Sequence, residues 1–281
     1  MTRLCLWQAS RRLTVVWCIA ALLLSAVSAG LAQGTAPDLT FAVFGDCQPG
    51  SASYSPILRK LVADMAQQRP AFVLGCGDYI DGSKDEQIVR RQWQGFFEGI
   101  SPLQALGRVP VALAPGNHDI MGTGTNQAIF AEYFGGPYLS FNRAGCHFVI
   151  LNTQEPGNYG RIAGRQREWL KADLAAHREA ILTFVAMHQP LFPMDGHRGE
   201  SLDAFPRDRD ALHALFAAEG VDCVFHGHEH LFHRQQIGGI DYVITGGGGG
   251  ALYARPEEGG FHHYCLLRVY GGGYQLQVRR L

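Results

Sequence analysis

Short apolar runs alternate with longer amphipathic segments through the first part of the chain. Residues 39–44, 71–74 and 109–114 are apolar runs of strand length, and Gly or Pro follows each of them. Residues 55–69 and 85–99 lie between these runs and repeat apolar side chains at helical spacing. The order strand–helix–strand–helix–strand predicts an α/β fold with helices packed on a parallel sheet.

The same alternation continues to residue 225, after which the pattern changes. Residues 147–151, 181–187 and 222–225 are further apolar runs, and residues 166–178 and 209–219 have helical periodicity. A glycine-rich stretch ahead of these runs is expected to form loops and a short helix. The last part of the chain is rich in strand-like runs, which predicts a second sheet packed against the first. The glycine-rich stretch is residues 121–140, and the late runs are residues 240–245, 264–269 and 274–278.

Residues 1–32 have the pattern of a secretory signal peptide. Arg3, Arg11 and Arg12 precede an apolar run over residues 13–27, and small residues follow that run. The Ser-Arg-Arg sequence resembles the start of a twin-arginine export signal. The run is short for a membrane span, and an uncleaved membrane anchor is the alternative. We therefore expect an exported protein, periplasmic or secreted, with no stable membrane span after cleavage.

Composition limits the partners and the cysteine chemistry. The chain has 281 residues, 47% hydrophobic and 17% charged, and no long linker or repeat divides it, so residues 33–281 are predicted to be one domain. The net charge is −1 and no Lys/Arg block occurs outside the leader, so nucleic acid is not an expected partner. Five cysteines follow the leader without a Cys-x-x-Cys, which argues against a zinc ribbon. Cys47, Cys76 and Cys223 are expected to be buried as small hydrophobes, and the pairing of the five is left open.

Three histidines lie within five positions directly after the last strand of the first series. In an extended segment, positions i and i+2 face the same side, so His228 and His230 are able to face one shared site. Gly227 lets the backbone turn close to that site. Neutral imidazole is the commonest protein ligand of divalent transition metals. An isolated His-x-His is more often a polar loop, so the interpretation depends on the other strand ends.

Side chains of metal-ligand type stand at the ends of four other predicted strands. Open α/β sheets carry their sites at the carboxyl ends of the strands, so these side chains are expected to converge. They are Asp46 with Gln48, Asp78, Asn117 with His118, and His188.

The order and spacing of these residues resemble the calcineurin-like metallophosphoesterase superfamily. Its five signatures are D-x-H, G-D-x-x-D, G-N-H-D/E, a single H and G-H-x-H. The corresponding segments here are Asp46-Cys47-Gln48, Gly77-Asp78-Tyr79-Ile80-Asp81, Gly116-Asn117-His118-Asp119, His188 and Gly227-His228-Glu229-His230. The resemblance extends over essentially all of the chain after the leader.

The resemblance implies a four-layer α/β/β/α sandwich, two mixed sheets flanked by helices, with a binuclear metal site. The expected cofactors are two divalent or trivalent ions: Mn, Fe or Zn. Asp46, Gln48, Asp78 and His230 would hold the first metal, and Asp78, Asn117, His188 and His228 the second, with Asp78 bridging. In such a site a hydroxide between the metals attacks phosphorus directly. The expected activity is metal-dependent hydrolysis of small phosphomonoesters or phosphodiesters.

Two residues next to a ligand are assigned catalytic roles by the same resemblance. His118 is expected to assist the leaving oxygen, and Asp119 is expected to orient the His118 imidazole. Asp81 is expected to support the site without binding metal. Gln48 stands where the common pattern has His, and because an amide oxygen is a weaker and harder ligand, the metal at the first position is left open.

The candidates for substrate contact are histidines and an arginine near these motifs. For His226, a role in supporting the backbone is preferred over substrate contact. His263 is considered together with His262 as a residue near the substrate. No helix follows the five glycines at 246–250 to complete a phosphate loop, and the resemblance implies instead a close-packed loop near the metals. The candidates are His226, His197, Arg198 and His262, and the histidines expected to have ordinary roles are His147, His177, His213 and His233.

Two alternatives belong to other functional classes. One is a non-catalytic protein that binds metal or phosphate on the same scaffold. The other is a relative of the purple acid phosphatases with a redox-active iron. That branch carries a Tyr ligand at the end of G-D-x-x-Y, where this chain has Asp81, so no strong purple colour is expected. Oligomeric state and the preferred ester are not predicted.

Overall fold

The structure of the chain is a computed structural model that describes residues 39–50, 52–105, 109–270 and 272–281. The predicted leader lies outside these residues. Within them, no helix combines the length and the apolar character needed to cross a membrane.

The strands form two mixed sheets. In chain order they are β1 (Leu39–Phe44), β2 (Val73–Gly75), β3 (Val111–Leu113), β4 (Leu139–Arg143), β5 (Cys146–Ile150), β6 (Thr183–Ala186), β7 (Cys223–His226), β8 (Phe232–Ile237), β9 (Ile240–Thr245), β10 (His263–Tyr270) and β11 (Gly273–Arg280). The first sheet has the order β11-β10-β1-β2-β3, and the second has the order β4-β5-β6-β7-β9-β8. β1, β2 and β3 are parallel to one another, as are β5, β6, β7 and β9. The four remaining strands, β4, β8, β10 and β11, pair antiparallel.

The sheet assignment of the last strands corrects one prediction. β10 and β11 were expected in the second sheet, but β10 pairs with β1 from Leu39↔Val269 to Val43↔Cys265. β1 is buried along nearly its whole length and has β2 on one side only, so its other edge requires a partner for the backbone hydrogen bonds. Of the three predicted late runs, only the one that forms β9 joins the strands from the middle of the chain.

Helices cover the outer face of each sheet. They are α1 (Pro56–Gln67), α2 (Glu86–Gly99), α3 (Ser101–Ala105), α4 (Asn117–Ile120), α5 (Gly124–Phe134), α6 (Gly164–Ala176) and α7 (Pro206–Ala218), with short 3-10 turns at Asp195–His197, Leu202–Ala204 and Pro256–Glu258. The two helices of the first β-α-β-α-β series begin at side-chain caps: the Ser55 hydroxyl accepts from the Leu58 amide at 3.3 Å, and the Asp85 carboxylate accepts from the Gln87 amide at 2.8 Å. The short helix expected within residues 121–140 is α5.

Three apolar cores hold the layers together. Phe41, Phe72 and Phe148 are fully buried between the sheets, with ring centres 4.9–5.3 Å apart. Trp93 anchors the core between the first sheet and its helices, and Phe216 does the same for the second sheet. Each such side chain contributes about 1.5–3 kcal/mol by its burial. The expected four-layer α/β/β/α sandwich is confirmed.

The five cysteines that the structure describes are free and buried. Burial raises the pKa of the Cys47, Cys76 and Cys223 thiols well above their ordinary value. These thiols therefore stay protonated and behave as small hydrophobes, as the sequence predicts.

Candidate metal centre

The predicted ligands lie at the carboxyl ends of parallel strands from both sheets. Asp46 and Asp78 follow β1 and β2 in the first sheet, and His188 and His228 follow β6 and β7 in the second. Because the sheets pack face to face, these strand ends open onto one place. Asn117 completes the set at the first position of α4.

Four of these side chains meet at the position assigned to the second metal. The Asn117 Oδ1 atom is 2.8 Å from Nε2 of His188 and 3.1 Å from Nδ1 of His228. His188 Nε2 is also 3.4 Å from Oδ2 of Asp78. Amide oxygen, carboxylate and two imidazoles therefore converge on a volume of the size of one ion.

The residues assigned to the first metal lie next to the same Asp78 carboxylate. The Gln48 Nε2 atom is 3.0 Å from Asp78 Oδ2, and Asp46 Oδ1 is 3.5 Å from His230 Nε2. Ligand atoms of Asp46, Asp78 and His188 all lie within 4.8 Å of one another. Asp78 is thus common to both groups.

Two buried oxygens in this cluster favour cations. Within the described parts of the chain, Asp46 Oδ2 and Gln48 Oε1 have no hydrogen-bond partner. A buried polar atom without a partner costs about 1–3 kcal/mol, and more when it is charged. Burial and the Asp46 carboxylate also raise the pKa of Asp78 well above its ordinary value. A positive ion at this point would satisfy the free oxygens and separate the like charges, so the donor set fits the metals that the sequence implies.

The two histidines at the second position are suited to bind metal as neutral ligands. Burial lowers the pKa of His188 and of His228 to about 3, so both rings are uncharged near neutral pH. The Nδ1 atom of His188 donates to the Cys76 carbonyl at 2.8 Å. This hydrogen bond leaves the lone pair on Nε2, which faces the cluster.

Backbone strain is concentrated at the predicted ligands. Asp46, Asp78 and His228 have φ angles of 59°, 57° and 70°, in the left-handed region that costs a non-glycine residue about 1–3 kcal/mol. A Cβ atom on Gly227 would lie 2.3 Å from Asp46 Oδ2, so only glycine permits this approach of the two loops. The fold thus accepts strain where it holds the ligands.

The contacts of Asp119 correct the role expected for it. Its buried carboxylate accepts from the backbone amides of Asp78 and Gly116, each at 2.8 Å, and from the amide of Tyr79 at 3.0 Å. Three amide donors occupy the carboxylate, so it does not orient the His118 imidazole. Asp119 instead ties the loop after β2 to the loop after β3.

The His118 imidazole is held by a backbone carbonyl. Its Nδ1 atom donates to the carbonyl oxygen of Asp81 at 2.8 Å, which leaves Nε2 available. The amide of His118 donates to Asp78 Oδ1 at 2.9 Å. The Asp81 carboxylate accepts a hydrogen bond from the Gly50 amide at 3.0 Å. Asp81 therefore supports the site through two hydrogen bonds, one between its carbonyl oxygen and His118 and one between its carboxylate and Gly50.

The four candidates for substrate contact differ in their access to the site. His226 is fully buried and stacks against Tyr242 with ring centres 6.2 Å apart. The prediction that His226 contacts the substrate is therefore wrong. His197 ends a 3-10 turn and Arg198 follows it at the surface. His262 is half-buried, with Nδ1 3.4 Å from the Gly247 carbonyl.

His263, considered together with His262 as a candidate for substrate contact, is enclosed within the protein. It is fully buried, and its ring nitrogens contact the Thr245 hydroxyl at 3.1 Å and the Phe261 carbonyl at 2.8 Å. β10 begins at this residue, so its side chain points into the protein from the first position of the strand.

Tyr253 is the residue at this site that sequence reasoning missed. Its ring stacks on His230 with centres 4.2 Å apart and planes 14° apart, and its hydroxyl lies 3.3 Å from His230 Nε2. The glycine loop that precedes it packs against the loop after β1, where the amide of Gly250 donates to the Asp46 carbonyl at 2.9 Å. The signal available in the sequence was an aromatic residue three positions after a loop predicted to lie near the metals.

Glu229 links the histidine segment to a surface loop. Its buried carboxylate accepts from the Met194 amide at 3.0 Å, and burial raises the pKa of Glu229 to about 7. This contact fixes the loop that carries His197 relative to the two flanking ligands, His228 and His230.

A second group of ligand-type residues lies at the opposite end of the second sheet. His147 Nε2 is 2.9 Å from Asp173 Oδ2, and the rings of His147 and His177 stack with centres 3.9 Å apart and planes 11° apart. Lone pairs lie in the planes of the rings, so two parallel rings do not direct them at a common ion. We interpret this group as a hydrogen-bonded cluster that attaches α6 to β5.

Comparison with known proteins agrees with this geometry. The family model described as calcineurin-like phosphoesterase matches residues 39–232. Human serine/threonine-protein phosphatase CPPED1 is 28% identical over 230 residues, which cover 76% of this chain and 72% of that protein. Human tartrate-resistant acid phosphatase type 5 is 28% identical over 270 residues, 82% of this chain and 79% of that one. The structure of purple acid phosphatase PPD1 from yellow lupin superposes with a TM-score of 0.69 at 19% identity, covering 87% of this chain and 52% of that chain, a similarity of fold.

Proposed function

The chain belongs to the calcineurin-like phosphoesterase family, and from this premise we propose that it is a metal-dependent phosphohydrolase acting on small phosphomonoesters or phosphodiesters. The observation that carries the proposal is the convergence of ligand-type side chains from two sheets on Asp78, next to buried oxygens of Asp46 and Gln48 that have no hydrogen-bond partner among the described residues. Such an arrangement has an energetic cost without a cation and is relieved by one.

The donor set supports two ions. The first would be held by Asp46, Gln48, Asp78 and His230, and the second by Asp78, Asn117, His188 and His228. Two ions held in this way lower the pKa of a bound water and neutralise the charge on the phosphate. Mn, Fe and Zn all suit this mixture of carboxylate, amide and imidazole.

The chain's own contribution to bond cleavage would come from His118. Its Nδ1 proton is committed to the Asp81 carbonyl, so Nε2 is the nitrogen able to hold a proton for the leaving oxygen. The His118 amide hydrogen bond to Asp78 places this ring next to the shared ligand. Asp119 would act indirectly, because it positions the loops that carry Asp78 and Asn117.

A small substrate and an exported location are part of the proposal. The net charge of −1 supplies no overall electrostatic attraction for nucleic acid. The arginines and the apolar run of residues 1–32 support export to the periplasm or medium. N-terminal sequencing of the mature protein tests this part: an intact Met1 in the released protein would contradict it.

Hydrolysis of p-nitrophenyl phosphate and bis-p-nitrophenyl phosphate, with Mn, Fe, Zn or no added metal, tests the proposal. We expect metal-dependent turnover that Asp78→Asn abolishes together with metal binding. His118→Gln is expected to retain the metals and to lower kcat about 100-fold, within the usual range for loss of a general acid. His177→Gln is the matched control, because its ring lies at the far end of the second sheet, and it should behave as wild type.

The outcomes separate the alternatives. Preference for one of the two esters distinguishes a monoesterase from a diesterase. Two bound metals without turnover of either ester would favour the non-catalytic binding protein. Metal-independent turnover that survives Asp78→Asn would contradict the proposed site.

A further inference from the structure

Tyr253 is exposed, yet its ring is fixed against a predicted metal ligand. The residue is 58% exposed, while its ring stacks on His230. A second ring, His197, has its centre 5.9 Å away. The contacts with these two rings restrict the orientation of the Tyr253 side chain.

The loop before Tyr253 is anchored to the strand that carries the first predicted ligand. The Gly248 amide donates to the Gly45 carbonyl, and the Gly250 amide donates to the Asp46 carbonyl, both at 2.9 Å. A Cβ atom on Gly250 would lie 2.7 Å from Gln48 Oε1. The loop therefore closes over the Asp46 and Gln48 side of the centre and presents Tyr253 at its entrance.

The tautomer of His230 determines what the Tyr253 hydroxyl faces. His230 Nδ1 donates to the Ala251 carbonyl, so Nε2 is the nitrogen that remains for a proton or a cation. The Tyr253 oxygen is 3.3 Å from this Nε2. Because the two ring planes are 14° apart, the Nε2 lone pair is not aimed at the Tyr253 hydroxyl, and with a cation bound to that lone pair the hydroxyl has no acceptor on the ring. Its proton is then available to an anionic oxygen arriving at the same cation.

We infer that Tyr253 contacts the substrate and that its phenol hydroxyl donates a hydrogen bond to a phosphate oxygen on the Asp46 and Gln48 side of the centre. The inference rests on the proposed phosphohydrolase function and extends it by one substrate-binding residue. The hydroxyl of Tyr253 and the imidazole of His118 belong to different loops, so binding of the phosphate and departure of the leaving group would be served by separate side chains.

The expected effect follows from the strength of a hydrogen bond to a charged group. Loss of such a bond corresponds to about a 10- to 100-fold loss of affinity. Tyr253→Phe removes the hydroxyl and keeps the stacked ring. Tyr270→Phe is the matched control, because Tyr270 is also exposed and ends β10 in the first sheet.

The experiment measures binding of inorganic phosphate to the metal-loaded full chain by calorimetry, together with metal content and kcat/KM for p-nitrophenyl phosphate. We expect Tyr253→Phe to weaken phosphate binding and to lower kcat/KM by about 10- to 100-fold. Metal content and thermal stability should match those of wild type. Tyr270→Phe should change none of these quantities.

Three results would overturn the inference. The first is wild-type phosphate affinity in Tyr253→Phe. The second is loss of metal in that variant, which would make Tyr253 a support for His230. The third is a visible charge-transfer absorption of the iron-loaded protein that disappears in Tyr253→Phe, which would make the phenol oxygen a metal ligand.

Failure of the inference is distinguishable from failure of the proposed function. If the wild type hydrolyses the substrate and Tyr253→Phe behaves in the same way, the proposed phosphohydrolase function stands and the role of Tyr253 is refuted. If the protein has no turnover but binds phosphate through the Tyr253 hydroxyl, the proposed contact stands and the non-catalytic alternative is favoured. A metal-loaded wild type that binds no phosphate would overturn both.

Discussion

Asp119 provides the sharpest test of how the fold holds this centre. Its carboxylate accepts three backbone amide hydrogen bonds and is fully buried. The change Asp119→Asn preserves the size of the side chain and one of its two oxygens. The other oxygen becomes an NH₂ group that faces amide donors 2.8–3.0 Å away.

The magnitude follows from these contacts. At least one hydrogen bond to a charged acceptor is lost, at about 1.5–3 kcal/mol, and the remaining bonds become neutral and weaker. A buried amide left without an acceptor adds about 1–3 kcal/mol. Because the loops can relax, we expect a net destabilisation of about 2–4 kcal/mol. For a domain of this size that corresponds to a decrease in Tm of about 5–15 °C.

The assay is thermal unfolding of the metal-free protein, because bound metal would add its own stabilisation. A chelator-competition titration then measures metal affinity, which should fall because Asp78 and Asn117 lie on the loops that Asp119 joins. Asp81→Asn is the matched control: it alters one hydrogen bond at a half-buried site and should cost less than about 1 kcal/mol.

One result would refute the reasoning. If the Asp119→Asn variant has the same Tm and the same metal affinity as wild type, the hydrogen bonds of Asp119 do not hold the loops together. A shifted pH profile of turnover in such a stable variant would restore the role first expected, orientation of His118.

Three further predictions follow from other contacts. Gln48→His should raise metal affinity at the first position, since imidazole is a stronger ligand than an amide oxygen for Mn, Fe or Zn; unchanged affinity and stoichiometry on titration would contradict this. Gly227→Ala places a Cβ atom 2.3 Å from Asp46 Oδ2 and should destabilise the protein by about 1–3 kcal/mol and weaken the first metal position, measured by unfolding and metal titration. Burial opposes ionisation of Asp173, but its hydrogen bonds, the strongest of them from His147, lower the pKa of its carboxyl group below the ordinary value of about 4. The ionised carboxylate therefore stabilises the fold at pH values above that ordinary pKa. Asp173→Asn should therefore cost about 1.5–3 kcal/mol at pH 7 in urea unfolding, and the difference from wild type should vanish as the pH falls through the lowered pKa; a difference that persists there would contradict this role of the Asp173 carboxylate.

Local sequence pattern predicted the interior strands and failed at two edges. β1, β6 and β7 are buried throughout or nearly so and read as continuous apolar runs. β4 and β8 were missed, because both lie at edges of the second sheet and carry polar side chains on exposed positions. The sheet to which β10 belongs was also not predictable, since a strand's partner depends on the path of the whole chain.

The sequence by itself determined the chemistry of the centre. Residue type decides which side chains are able to bind metal, and their places at the ends of apolar runs predicted that Asp46, Asp78 and His188 would converge. The tertiary structure decided how the surrounding groups act. Asp119 meets amides about 40 positions away, and Tyr253 meets a histidine 23 positions away, across loops whose course no local pattern encodes. A ligand is recognised by its own chemistry, whereas the role of a neighbour depends on what folding places beside it.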